Sequence, residues 1–215
     1  VDIGDADLAA THFHIVDRLV GVVTVRVFFT VEQTRRIVEC GAKYGMKAKI
    51  HANELDFSGG VELGVEMGAL SVDHLECSGE EQIAVLKGSQ TMPTLLPGAA
   101  FFLGMSYPPA RKMVDAGLAV ALASDYNPGS SPSGNMRFVT SLASIRMRLT
   151  PTEALWAATL NGAAAMGLSD NYGSITVGKV ANFFITKPLS SFEFFTYAYN
   201  TPLIERIVLS GNVVK

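Results

Sequence analysis

Three times in this 215-residue chain a short apolar segment runs into a side chain able to bind a metal or move a proton. Lys47-Ala48-Lys49-Ile50 leads into His51, with Glu54 three residues on. Ala69-Leu70-Ser71-Val72-Asp73 leads into His74, and residues 118–125 end on Asp125. Segments this short, separated by helix-length patterns that stop at glycine, read as strands of successive βαβ units in a parallel sheet. In a parallel α/β barrel, chemistry gathers at the C-terminal ends of the strands, where all three side chains fall.

Taken in order, residues 1–25 resist assignment. Thr11-His12-Phe13-His14 holds a His-x-His pair, which on a strand puts both imidazoles on one face. That is a metal-ligand spacing, and it equally describes a partly exposed pair beside an apolar strand. Residues 20–29 read as a strand. Thr30 to Gln33 predicts a capped helix start, and Gly45 its end. Helices are expected over about 61–67, 80–86, 108–116 and 136–146. Residues 90–97 read as a strand leaving into a loop, although Pro93 sits badly in a central strand. Thr150-Pro151-Thr152-Glu153 predicts a helix running through Trp156 to about Met166. From Tyr172 onward short strands are expected at 173–175, 178–185 and 204–214, with Ser210-Gly211-Asn212 as a hairpin turn.

Hydrophobic residues make up 48% and charged residues 17%, a balance that suits much buried strand and argues against disorder. The net charge of −3 offers no basic field for a nucleic-acid backbone, so no nucleic-acid partner is expected. Cys40 and Cys77 have no metal spacing and read as two buried free thiols of a reducing cytoplasm. No apolar run approaches the roughly 18 residues a membrane span needs, so none is expected. The first residues lack the positive start of a signal peptide, and the absent Met suggests a longer reading frame.

His51, His74 and Asp125 together suit zinc or another borderline divalent metal. Such a metal acidifies a water to a pKa of about 7, and Glu54 is placed to shuttle protons. Each residue also has a plainer reading. A lone strand-end His is commonly a hydrogen-bonded core residue, Asp125 can be a turn or N-cap residue, and Glu54 can be solvated.

The wording His51-Ala52-Asn53-Glu54, Asp73-His74-Leu75-Glu76, Thr94-Leu95-Leu96-Pro97-Gly98, Pro109-Ala110-Arg111 and Ser124-Asp125-Tyr126-Asn127-Pro128-Gly129-Ser130 resembles the imidazolonepropionase family of the amidohydrolase superfamily. The resemblance runs from about Val27 to the C-terminus and is most specific at the Asp-aromatic-Asn-Pro-Gly segment. It implies an α/β fold: the C-terminal half of a TIM-like (β/α)8 metal-dependent hydrolase barrel plus a small β-rich C-terminal appendage. The expected division is 1–25 unassigned, 26–168 barrel half and 169–215 part of a composite sandwich. The implied reaction is hydrolysis of the ring C–N bond of imidazolone-5-propionate to formiminoglutamate, in histidine breakdown, with zinc or iron. By the same resemblance His51 and Asp125 are metal ligands, Asp125 also accepting a proton. Glu54 and His74 are catalytic, and Glu54, Asn127, Gly129 and Ser130 bind substrate.

The departures are specific. The family's His-x-His ligands lie far upstream of the His51 position, whereas His12 and His14 lie under forty residues from it, so they are not that motif in register. The family's Gly-Lys-x-Ala-Asp turn is Gly178-Lys179-Val180-Ala181-Asn182 here, and its substrate-binding Arg, Tyr and His from the first half have no counterparts. Half a barrel leaves strand edges open, so a homodimer or another assembly covering the open side is expected, with weak metal binding by the chain alone.

Overall fold

The computed structural model describes residues 13–16, 19–24 and 29–215. Its first strands, β1 (Phe13–Val16) and β2 (Leu19–Thr24), form an antiparallel pair; β1 comes from the segment that resisted assignment, and β2 overlaps the strand expected over 20–29. His12 lies outside the described residues, and His14 pairs with Gly21 at the edge of the sheet. Strand β2 then pairs in parallel with β3 (Lys47–Ala52), and the parallel order continues through β4 (Ser71–His74), β5 (Met92–Leu95) and β6 (Ala121–Leu122). The crossovers are helical: α1 (Val31–Lys43), α2 (Gly60–Glu66), α3 (Glu80–Lys87), and the pair α4 (Pro97–Leu103) and α5 (Ala110–Asp115). This is the expected run of βα units.

Local chemistry explains the boundaries. Thr30 accepts a hydrogen bond from the Gln33 backbone N–H while Gln33 accepts from Thr30 N–H, which closes the predicted capping box of α1. In β3, Ala48, Ile50 and Ala52 are buried and Lys49 and His51 half-buried, so one face takes the helices and the other carries polar groups. Helix α2 lies so close to the apolar face that a Cβ on Gly64 would stand 2.4 Å from Val72 Cγ1. Ile50, Val61, Val72, Leu75 and Leu95 are completely buried there. Each contributes about 1.5–3 kcal/mol relative to exposure.

Several expectations need correction. Residues 97–103 do not leave β5 as a loop but form α4, started by Pro97 at its first position. Pro93 is tolerated within β5 because alternate residues bond to opposite neighbours. Met92 N–H bonds to Leu70 on the β4 side, while Leu95 O accepts from Ala123 on the β6 side. Pro93 therefore faces β6 one residue before that pairing begins at Thr94↔Ala121. The helix after Thr150 is not continuous: α7 (Pro151–Ala158) and α8 (Leu160–Ala165) meet at Thr159, whose hydroxyl bonds back to Leu155 O at 2.6 Å. The break lets Asn161 bond to Val120 O, tying α8 to the sheet. Finally, Cys40 and Cys77 are free, as expected, but Cys40 is only half-buried and Cys77 is exposed.

Helix α6 (Met136–Met147) precedes α7, and beyond α8 a second sheet forms from β7 (Phe183–Thr186), β8 (Ile204–Leu209) and β9 (Asn212–Val213), all antiparallel. Ser210 and Gly211 both take positive φ, so the hairpin turn expected at 210–212 is a two-residue turn, with Asn212 already in β9. Residues 173–175 are not a strand: a Cβ on Gly173 would stand 2.7 Å from that of Ala163, so this segment is a turn pressed onto α8. A short helix, α9 (Phe194–Tyr197), seats the second sheet. Arg137 of α6 donates to Ala198 O at 2.6 Å and lies 5.0 Å over the Phe195 ring.

Candidate metal centre

The side chains expected to carry chemistry converge at one end of the parallel sheet. His51 is the next-to-last residue of β3, His74 the last of β4, and Asp125 follows β6. His74 Nε2 stands 3.1 Å from His51 Nδ1, 3.9 Å from Asp125 Oδ2 and 3.8 Å from Glu54 Oε2. Strand alternation alone would send His74 to the helix face with Val72. A positive φ at His74 (80°) and again at Leu75 (74°) breaks the strand and swings the imidazole over its end. Asn53 (55°) and Asp125 (51°) share this left-handed geometry. Non-glycine residues held there cost about 1–3 kcal/mol each and persist only where surroundings over-determine them.

Those surroundings are visible. Asn53 is fully buried, and its side-chain carbonyl accepts from both the backbone and the hydroxyl of Ser58 at 3.0 Å. Its own carbonyl accepts from Cys77 N–H at 2.7 Å, which pins the β3 loop to the β4 loop. The turn at Asn53 brings Glu54 back over the rim. On the third loop, Asn127 Oδ1 accepts from the backbone of Gly129 and Ser130, both at 2.8 Å, and its amide donates to Asp125 O at 2.7 Å. Ser130 Oγ stands 3.4 Å from Asp125 Oδ2. The expected substrate residues Asn127, Gly129 and Ser130 thus form one closed turn that fixes Asp125. Gly98 at the start of α4 allows this loop to settle, since a Cβ there would meet Ser131 Oγ at 2.9 Å.

Two acids that sequence reasoning passed over stand behind the histidines. Asp73, 4% exposed, places Oδ2 at 3.7 Å from His51 Nε2, while its Oδ1 accepts from Ser71 Oγ at 2.5 Å and lies 3.6 Å from Lys49 Nζ. Glu76 places Oε2 at 3.6 Å from His74 Nδ1, and its side chain is 1% exposed. The signal was in the wording Asp73-His74-Leu75-Glu76, two acids flanking a strand-end His, but burial of acids is not readable from pattern.

The electrostatics follow from this crowding. Burial lowers the pKa of His51, helped by His74 and Lys49 and opposed by Asp73 and Asp125. Burial also pushes His74 down, but Glu76, Glu54 and Asp125 outweigh it and its pKa is raised. Glu54 is raised by burial and by Glu76 and Asp125, against the pull of His74.

The donor set fits a divalent cation. His51, His74 and Asp125 each offer one atom, all within 4.8 Å of one another, the group that could hold a metal among the described residues. Four carboxylates, Glu54, Asp73, Glu76 and Asp125, surround two imidazoles and one lysine, an excess of negative charge that a cation would balance. His-His-carboxylate is a common open catalytic ligand set.

Comparison with known proteins agrees. The model of the Amidohydrolase family matches residues 24–214. Imidazolonepropionase of Flavobacterium johnsoniae is 52% identical over 187 residues, covering 87% of this chain and 46% of that protein. The imidazolonepropionase of Salinispora arenicola is 43% identical over 196 residues, 90% of this chain and 50% of its own length. The chain thus spans about half the length of these curated relatives. In fold it is similar to a zinc-bound adenosine deaminase from Xanthomonas campestris, with TM-score 0.76 at 19% identity, covering 89% of this chain and 50% of the other. Guanine deaminase of E. coli gives TM-score 0.74 at 17% identity, covering 89% and 53%. The architecture is the C-terminal half of an amidohydrolase-type barrel with a small antiparallel sheet, and the chain belongs to the amidohydrolase family.

Proposed function

We propose that this chain supplies the His51–His74–Asp125 part of the metal centre of a hydrolase that opens the ring C–N bond of imidazolone-5-propionate, giving formiminoglutamate. The observation that carries the reading is the convergence of two strand-end imidazoles and a strand-end carboxylate on one small volume. Relatives named imidazolonepropionase at 43–52% identity support the choice of substrate. Zinc or iron is the proposed metal, held by His51 and Asp125 with His74 within reach as a third donor. It would supply Lewis acidity, polarising the ring carbonyl and acidifying a water.

The chain's own groups account for the proton movements. Asp125 Oδ2 faces His74 Nε2 and is placed to take a proton from the attacking water. Glu54, with its raised pKa, is suited to hold that proton and return it to the departing ring nitrogen. The Asn127–Ser130 turn fixes Asp125 and presents an edge for a polar substrate. The inner face bearing Lys49, His51 and Asp73 is the surface a covering chain, a second copy or another, would close. Two free thiols fit a cytoplasmic setting. Among the described residues no helix is long and apolar enough to cross a membrane.

Loss of imidazolonepropionate absorbance tests the assignment. The chain is mixed with zinc or iron(II) and with the N-terminal half of the Flavobacterium johnsoniae relative. Ring opening that disappears in His51→Ala supports it. Opening of a hydantoin or cyclic amidine in its place would move the activity to another ring amidohydrolase. No turnover with any ring despite bound metal would leave a catalytically inactive half-barrel.

A further inference from the structure

The geometry points to Glu76 and Asp73 as positioning residues that fix opposite tautomers in the two neighbouring histidines. His74 then carries its proton on Nδ1 and His51 on Nε2. The inference deepens the metal-centre reading and rests on it.

Glu76 is the less explicable residue without this role. Both its carboxylate oxygens and His74 Nδ1 are buried and have no hydrogen-bond partner among the described residues. Yet Oε2 and Nδ1 face each other at 3.6 Å. A buried carboxylate facing a bare nitrogen would set two acceptors against each other, a costly arrangement. With the proton on Nδ1 the contact becomes an attraction. Asp73 repeats the logic one strand away. Ser71 and Lys49 occupy its Oδ1, and its Oδ2 is left toward His51 Nε2 at 3.7 Å.

Once these protons are placed, the nitrogens left bare are His51 Nδ1 and His74 Nε2, which stand 3.1 Å apart. Two lone pairs so close repel unless a cation lies against both. Nitrogens each about 2.05 Å from one tetrahedral zinc stand roughly 3.3 Å apart, so the spacing suits a shared ion. Carboxylates that hold the far nitrogen of a ligating His are a general device for aiming the near one.

Long-range nitrogen–proton correlation spectra of the histidine rings test this. They are recorded on the zinc-loaded chain and on the metal-free chain at alkaline pH, where shared protons are gone. The parent should show His74 protonated on Nδ1 and His51 on Nε2. Glu76→Gln keeps an acceptor and should keep the His74 tautomer. Glu76→Leu should shift His74 toward Nε2 protonation and weaken zinc binding about 10–100-fold. Because the leucine removes a buried carboxylate without a hydrogen bond, thermal stability should hold or rise, which separates loss of aim from loss of fold. Asp73→Leu should shift His51 toward Nδ1 protonation and leave His74 as it was. A parent His74 protonated on Nε2, or an unchanged tautomer in Glu76→Leu, overturns the inference. If the parent binds no zinc the metal reading fails, and the alkaline spectra still decide the tautomers.

Discussion

The two sheets of this molecule use similar residues to different ends. In the parallel sheet every residue of β4 is buried, and β3 alternates between a helix-packed apolar face and a polar one. The three-stranded sheet has no such cover: Phe184, Ile185, Leu209 and Val213 are 45%, 46%, 49% and 64% exposed. Its own packing is local, with Phe184 stacked on Phe195 at 5.5 Å between ring centres. The strained backbone at Asn53, His74, Leu75 and Asp125 lies at the rim of the well-packed sheet. The contrast teaches why the chemistry sits there. The four strained residues at the rim stand among buried acids and imidazoles, where dense packing holds them, whereas in the exposed sheet positive φ is confined to the Ser210-Gly211 hairpin turn.

The contrast is open to direct attack. Ile50→Ala should cost about 2–5 kcal/mol in urea unfolding, because it empties a fully enclosed site between β3 and α2. Gly64→Ala should cost about 1–3 kcal/mol by the same measurement, since the new methyl meets Val72 and neither element has room to retreat. A neutral result for either would mean the parallel sheet is loosely packed.

A smaller effect lies on the outer helix layer, where Arg111 grips Glu153 through two hydrogen bonds of 2.8 and 3.1 Å. These bonds, with lesser help from Thr150, hold the Glu153 pKa below the usual carboxylate range. A depressed acid stabilises the fold above its unfolded pKa, and that contribution is lost as pH falls through the folded value. Glu153→Gln should therefore lower Tm at neutral pH, by an amount worth under about 1 kcal/mol for so exposed a pair. The gap should close in acid, and a gap that widened there would refute the assignment. Least of all should come from the small sheet, where Val213→Ala should stay within about 0.5 kcal/mol. A loss there as large as at Ile50 would erase the distinction between the sheets.

Much of this was legible in the chain itself, for identifiable reasons. His51 and Asp125 stood out because apolar strands ended on them, and the capping residues Thr30 and Thr150 announced α1 and α7 through local hydrogen bonds. What escaped depended on tertiary contact. The helix α4 is hidden behind a Leu-Pro-Gly run that reads as a loop, and the break at Thr159 goes with a tertiary contact, Asn161 bonding to Val120 O. Alternation places His74 on the wrong face; only the left-handed turn at residues 74 and 75 carries it to the rim. Asp73 and Glu76 look like ordinary polar residues until burial shows each facing an imidazole nitrogen.

The central claim is that His51 and Asp125 hold one cation at the rim, with His74 within reach of it. Calorimetric zinc titration of the chain, beside His51→Ala and Asp125→Asn, asks this most directly. The account predicts a single weak site per chain in the parent, with proton release on binding, and its loss in both variants. Zinc that bound both variants as it binds the parent would place the ion elsewhere and contradict the account.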